Sequence, residues 1–88
     1  MLDKILDRYY AKKLGKVILE DLCIYDLYKY FIIQEGRIEI YINYNEERKK
    51  FKNDKMIYST SVSSSFKCLF EIEQIIKIIR QRIDEIFE

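Results

Sequence analysis

The strongest constraint in this sequence is a β-hairpin pattern at its centre. Aromatic and β-branched residues from Tyr28 to Ile33 lead into the dipeptide Glu35–Gly36, which is typical of a tight turn. Beyond the turn, apolar side chains alternate with polar or amphipathic ones: Ile38, Ile40, Ile42 and Tyr44 against Arg37, Glu39, Tyr41 and Asn43. This period-two pattern predicts a strand with one buried face, and a second layer of structure has to cover that face.

The flanking segments supply one more strand and two helices. Residues 56–62 alternate again and predict a third strand, while residues 2–14 have the three-and-four spacing of a helix that Gly15 would end. After the serines at 63–65, a second helix is predicted from isoleucines that share one face: Ile72, Ile75, Ile76, Ile79, Ile83 and Ile86.

Residues 17–27 are ambiguous between strand and helix. We favour a short strand at Val17–Leu19 with a turn at Glu20–Asp21. The resulting order predicts an α+β fold: a two-layer sandwich in which a three- to four-stranded antiparallel meander carries the N-terminal and C-terminal helices on one face. Since the chain has 88 residues, we expect a single domain, residues 1–88.

The composition is that of a folded protein, because 49% of the residues are apolar and 35% are charged. No apolar run approaches the ~20 residues of a membrane-spanning helix, so we expect no membrane partner. The two cysteines, Cys23 and Cys68, do not indicate the disulfide scaffold of a secreted protein. We therefore expect a cytoplasmic protein that is a monomer or a homodimer.

The usual patterns of catalysis are missing from the sequence. It contains no histidine, which excludes hydrolase triads and most zinc sites. Its two glycines cannot form a phosphate-binding loop. Adjacent carboxylates such as Glu46–Glu47 point in different directions and do not make an acid–base pair. We expect no catalytic residues, no cofactor and no metal.

An acidic, tyrosine-rich segment is the first candidate for recognition. Residues 17–47 hold seven acidic side chains against Lys29 and Arg37, and tyrosine is enriched at protein interfaces. The predicted binding residues are Tyr28, Tyr30, Glu39, Tyr41, Glu46 and Glu47. They suggest a small non-enzymatic protein-binding module with a basic partner and, by analogy with small proteins of phages and mobile elements, an inhibitor of a host defence or nucleic-acid-processing protein. Tyrosine is also a common strand residue, and the sequence leaves both roles open.

A basic segment offers an alternative function. It consists of Arg48, Lys49, Lys50, Phe51, Lys52 and Lys55. Clustered cations neutralise phosphates and an aromatic ring stacks on a base, so this segment would suit a nucleic-acid-binding accessory protein. A solvated connection between two strands is the simpler interpretation of the same residues.

Overall fold

The computed structural model describes residues 2–43 and 54–87. Its elements in chain order are helix α1 (Leu2–Asp21), strands β1 (Tyr28–Gln34), β2 (Arg37–Asn43) and β3 (Lys55–Ser61), and helices α2 (Ser65–Phe70) and α3 (Ile72–Phe87). Short 3-10 turns join the helices to the sheet at Leu22–Ile24 and Val62–Ser64. The strands form an antiparallel sheet in the order β1-β2-β3. The predicted α+β fold is confirmed.

The β1–β2 hairpin closes through a two-residue turn, as the sequence predicts. Gln34 pairs with Arg37, and both residues between them have positive φ, 53° at Glu35 and 73° at Gly36. Two successive positive φ angles are typical of a type I′ turn, whose twist matches that of the flanking strands. The pairing continues in register along both strands, so each side chain has a definite face.

Helix α1 runs through Gly15 to Asp21. The predicted helix end at Gly15 and the predicted strand at Val17–Leu19 are therefore wrong. Apolar residues spaced by three or four lie on one face of the helix and its following turn, and all are fully buried: Ala11, Leu14, Ile18 and Leu22. Their burial outweighs the ~1 kcal/mol that a glycine costs inside a helix.

Gly15 has a packing role instead of a capping role. A β-carbon placed on Gly15 would lie 2.6 Å from Cγ of Phe31 and 2.8 Å from its Cδ2. Carbon atoms in favourable contact are about 3.5–4.0 Å apart. A glycine at this position lets the Phe31 ring lie directly against the helix backbone, and α1 comes close to β1.

The first half of α1 does not bury the apolar side chains that its residue spacing predicts to be buried. Ile5 is 67% exposed, Leu6 42% and Tyr9 59%. These positions lie on the side of the helix roughly opposite Leu14 and Ile18, because successive residues advance by about 100° around the axis. The apolar face of this half of α1 therefore points away from the sheet.

The C-terminal helix is divided in two at Glu71, where the sequence predicts one continuous helix. Its second part, α3, buries Ile75, Ile79 and Ile83 as predicted. The Arg80 guanidinium donates two hydrogen bonds to the carboxylate of Asp21, with Nε–Oδ2 and Nη2–Oδ1 distances of 2.9 and 2.8 Å. This paired contact joins α3 to the end of α1.

A β-bulge decides which residues of β3 reach the core. Ile40 pairs with Tyr58, whereas the next residue of β2, Tyr41, pairs with Met56. Ile57 is therefore the extra residue; its side chain is 2% exposed, and its carbonyl accepts a hydrogen bond of 2.7 Å from Nη1 of Arg82. The bulge keeps Ile57 on the helix side of the sheet and leaves Met56 beside Tyr41.

Replacing Gly15 with Ala is expected to destabilise the protein, although alanine is the better helix former. Overpacking against the Phe31 ring costs about 1–3 kcal/mol, against ~1 kcal/mol gained in helix propensity. Urea denaturation followed by circular dichroism measures the difference. In a Phe31→Leu background the same substitution should cost less or become stabilising; an equal stabilisation in both backgrounds would contradict the packing role of Gly15.

Candidate functional site

The strand register separates the sheet into a buried face and a face on the side opposite the helices. The buried face carries Ile38, Ile40 and Ile42, which are fully buried in the core with residues of α1 and α3. Alternate residues point the other way. We call this second surface the open sheet face, and define it by Tyr28, Tyr30, Ile32 and Gln34 of β1, Arg37, Glu39 and Tyr41 of β2, and Met56 and Ser59 of β3.

Three tyrosines form a continuous row on the open sheet face. Tyr30 and Tyr41 are direct cross-strand partners, and their rings are stacked with centroids 5.3 Å apart and planes 14° from parallel. The Tyr28 ring lies 5.6 Å from that of Tyr30 at an angle of 45°. Tyr28 remains 49% exposed. The row is therefore ordered by ring contacts while one end of it is open to a partner.

Carboxylates next to this row contribute to a raised pKa at two of its tyrosines, Tyr30 and Tyr41. The Tyr30 hydroxyl donates a 2.6 Å hydrogen bond to Oδ2 of Asp54. That bond, together with burial, raises the pKa of Tyr30 from 10.0 to about 12. Burial and the neighbouring Glu39 also raise the pKa of Tyr41. At neutral pH this part of the face combines uncharged phenols with negative carboxylates.

Polar contacts fix the side chains at the hairpin end of the face. Nε2 of Gln34 donates to Oε1 of Glu39 at 3.3 Å. The Arg37 guanidinium donates to Oγ of Ser59 from both Nε and Nη2, at 3.2 and 2.7 Å. Arg37 is thus held beside β3 at the turn end, and the carboxylates of Glu39 and Asp54 border the tyrosines.

The structure brings together four of the six residues predicted to bind a protein, namely Tyr28, Tyr30, Glu39 and Tyr41. The other two, Glu46 and Glu47, lie outside the described residues. So do Arg48, Lys49, Lys50, Phe51 and Lys52 of the basic segment. Its last member, Lys55, is exposed at the start of β3 opposite Ile42.

Asp54 is a member of this site that sequence reasoning missed. It lies 24 positions from Tyr30 in the chain, and a lone acid next to a run of lysines has no local pattern that marks it. The contact exists because β3 returns beside β2. Only the strand register could have indicated that the start of β3 lies near the tyrosines.

The two cysteine thiols lie in different environments, one beside a tyrosine in the interior and one at the surface. The Tyr58 hydroxyl and Sγ of Cys68 are 3.4 Å apart, but Cys68 is 8% exposed, and burial raises the pKa of Tyr58. Cys23 is free on the surface. Among residues 2–43 and 54–87, no cluster of three or more metal-ligating side chains occurs.

A cleft of about 510 Å³ lies between the start of α1 and the hairpin turn. The residues that line it include four charged ones, Lys4, Asp7, Arg8 and Glu35. Gly36 and Val62 also line the cleft. Among the described lining residues, the two cations balance the two carboxylates. The hydroxyl of Ser63, which also lines the cleft, donates to Oγ of Ser61 at 3.3 Å and not to a base, as an acyl-transfer site would need. We therefore place the candidate site on the open sheet face.

No protein-family model, curated protein or solved structure matches this chain. In the part of the chain that the structure describes, no helix has the length and apolarity needed to cross a membrane.

Removing the Tyr30 hydroxyl should cost stability in a pH-dependent way. Because the pKa of Tyr30 in the folded protein is raised to about 12, the stability from its neutral hydroxyl is fully present below pH ~10 and is lost as the pH rises towards ~12. Tyr30→Phe should therefore be less stable than the unmodified protein by about 1 kcal/mol at pH 8, and this gap should close in strong alkali.

Urea unfolding at a series of pH values from 8 to 11.5 measures the difference in unfolding free energy between the variant and the unmodified protein. Tyr9→Phe is the matched control, since Tyr9 is 59% exposed in the helix layer and should show no comparable narrowing. A free-energy difference for Tyr30→Phe that stays constant across the pH series would contradict a stabilising hydrogen bond from Tyr30 to Asp54.

Proposed function

We propose that this protein is a non-enzymatic protein-binding module whose open sheet face binds a basic surface of a partner. The observation that carries the proposal is the ordered tyrosine row bordered by carboxylates: Tyr28, Tyr30 and Tyr41 with Glu39 and Asp54. An inhibitor of a host defence or nucleic-acid-processing protein, as the composition suggests, would be one use of such a face.

Preorganisation is the first argument for binding. Tyrosine offers a large amphipathic contact area with few rotatable bonds, and residues of this type dominate interface energetics. Here the Tyr30 ring is held by two neighbouring rings and by a hydrogen bond to Asp54. Little side-chain entropy remains to be lost when a partner binds, and preorganisation of this kind strengthens affinity.

The charge of the face is the argument for a basic partner. Glu39 lies directly beside Tyr41 along β2, so an arginine or lysine of the partner can lie over a phenol ring and pair with the Glu39 carboxylate at the same time. Cation–π contacts contribute ~0.5–2 kcal/mol each, depending on how far they are desolvated. The exposed ring of Tyr28 is the place where such a contact can form first.

The same charge opposes nucleic-acid binding on this face. Carboxylates at Glu39 and Asp54 would repel phosphates, and the stacked faces of Tyr30 and Tyr41 contact each other and are not free to stack on a base. The nucleic-acid alternative therefore depends on the basic residues 48–55 and not on the tyrosine row.

Affinity capture with paired variants tests the proposal. The tagged protein is used as bait in a bacterial lysate treated with nuclease, and bound proteins are quantified by mass spectrometry. We expect a stoichiometric partner, retained after nuclease treatment, whose capture by Tyr28→Ala or Glu39→Lys falls about tenfold or more.

Two control variants make comparable substitutions at positions outside the open sheet face. Ile24→Ala removes an exposed apolar side chain, 67% exposed after the end of α1, and Glu20→Lys reverses an exposed carboxylate on α1; both should capture the partner normally. A partner that is equally retained by Tyr28→Ala and Glu39→Lys would refute a role for the open sheet face. A set of nucleic-acid-binding proteins that disappears with nuclease would favour the basic segment.

A further inference from the structure

A second exposed apolar surface lies on the helix layer. It consists of Ile5, Leu6 and Tyr9 of α1 and Phe66 and Phe70 of α2, and we call it the aromatic helix patch. The exposed fractions are 67%, 42% and 59% for the α1 residues and 47% and 78% for the two phenylalanines. None of these side chains belongs to the buried core cluster or to the open sheet face.

The patch is continuous. Tyr10 links its two halves, with its ring centroid 5.3 Å from that of Tyr9 and 4.7 Å from that of Phe66. The Phe66 ring in turn lies 5.0 Å from Phe70. With roughly 200 Å² for each fully exposed side chain of this size, the exposed fractions leave on the order of 600 Å² of surface, at the upper end for a single patch on a monomer.

Cations surround the patch. Lys12, Lys13 and Lys16 follow Tyr9 along α1, and Lys67 adjoins Phe66 on α2. All four are exposed. Positions three and four residues apart are neighbours on a helix surface, so Lys12 and Lys13 lie next to the Tyr9 ring. Acids also adjoin the patch: Asp7 directly follows Leu6 on α1, and Glu71 directly follows Phe70.

The positive charge beside the patch favours one kind of binding partner over the others. A second copy of the chain would bring two sets of cations together, which is unfavourable. In an interface with another protein lysine is depleted, because ordering and desolvating its long side chain is costly. An anionic bilayer surface needs no defined lysine geometry, and each cation near it contributes through proximity alone. Protruding rings and aliphatic side chains insert at the boundary between headgroups and acyl chains.

We propose that the aromatic helix patch binds the surface of membranes that contain anionic phospholipids. Phe70 and Ile5 insert, and Lys12, Lys13, Lys16 and Lys67 contact the headgroups. The expectation of no membrane partner rested on the absence of a spanning segment; a helix that lies on the membrane surface needs no such segment. The patch and the open sheet face are on opposite sides of the molecule, so the sheet face stays accessible to a protein.

Vesicle co-sedimentation tests this surface with the full chain. The vesicles contain phosphatidylcholine alone, or phosphatidylcholine with one third phosphatidylserine. We expect binding to the second kind only, weakened by raising the salt concentration. Phe70→Gln should weaken binding at least fivefold, and the triple change Lys12→Gln, Lys13→Gln and Lys16→Gln should weaken it on the order of a hundredfold.

A matched pair of isoleucines provides the control. Ile5 and Ile24 are both 67% exposed, but Ile5 is in the first turns of α1 and Ile24 follows its far end. The end of the helix is about 24 Å from Ile5 at ~1.5 Å per residue. Ile5→Gln should weaken vesicle binding, whereas Ile24→Gln should not. Because Phe70 and Ile5 are largely exposed, circular dichroism should confirm that both variants fold.

Three results would overturn the proposal. One is the absence of sedimentation with either vesicle. Another is binding that Phe70→Gln and Ile5→Gln leave unchanged, or that Ile24→Gln weakens equally. The third is a dimer in sedimentation analysis that Phe70→Gln converts to a monomer while vesicles remain unbound, which would assign the patch to a second copy of the chain.

Discussion

The arrangement of this protein depends on the close packing of α1 against the inner face of the sheet. Gly15 allows the Phe31 ring to lie against the helix backbone, and the buried residues on either side of it, Leu14 and Ile18, contact a core formed with the isoleucines of β2. Because one helix face is used completely in this contact, the opposite face of α1 and the opposite face of the sheet both remain at the surface.

The two candidate binding surfaces follow from that arrangement and differ in charge. The open sheet face combines tyrosines with the carboxylates of Glu39 and Asp54, while the aromatic helix patch combines phenylalanine and tyrosine rings with lysines. Although the total charge of the chain is only +1, the charges beside these two surfaces differ in sign. This separation would let one side bind an anionic surface while the other remains open to a basic protein.

Long-range polar contacts keep the layers in place. Arg80 joins α3 to Asp21 at the end of α1, and Arg82 joins α3 to the carbonyl of Ile57 at the bulge in β3. The bulge moves Ile57 into the core, where a regular register would have placed it beside Tyr41 on the open sheet face. Which side chains lie on the open sheet face therefore depends on the bulge in β3, and the hydrogen bond from Arg82 of α3 supports that bulge.

The sequence by itself determined the local elements and much of the site. Period-two alternation identified the second and third strands and the outward direction of Glu39 and Tyr41, because side-chain direction in a strand is a local property. The first strand was identified by its aromatic and β-branched run before the Glu35–Gly36 turn. Tertiary structure decided the rest. A glycine ends many helices, but Gly15 lies inside one, packed against Phe31. Asp54 contacts Tyr30 only because the strands pair. The exposure of one side of α1 could not be predicted from the sequence either, because the spacing of apolar residues does not show whether another element packs against them.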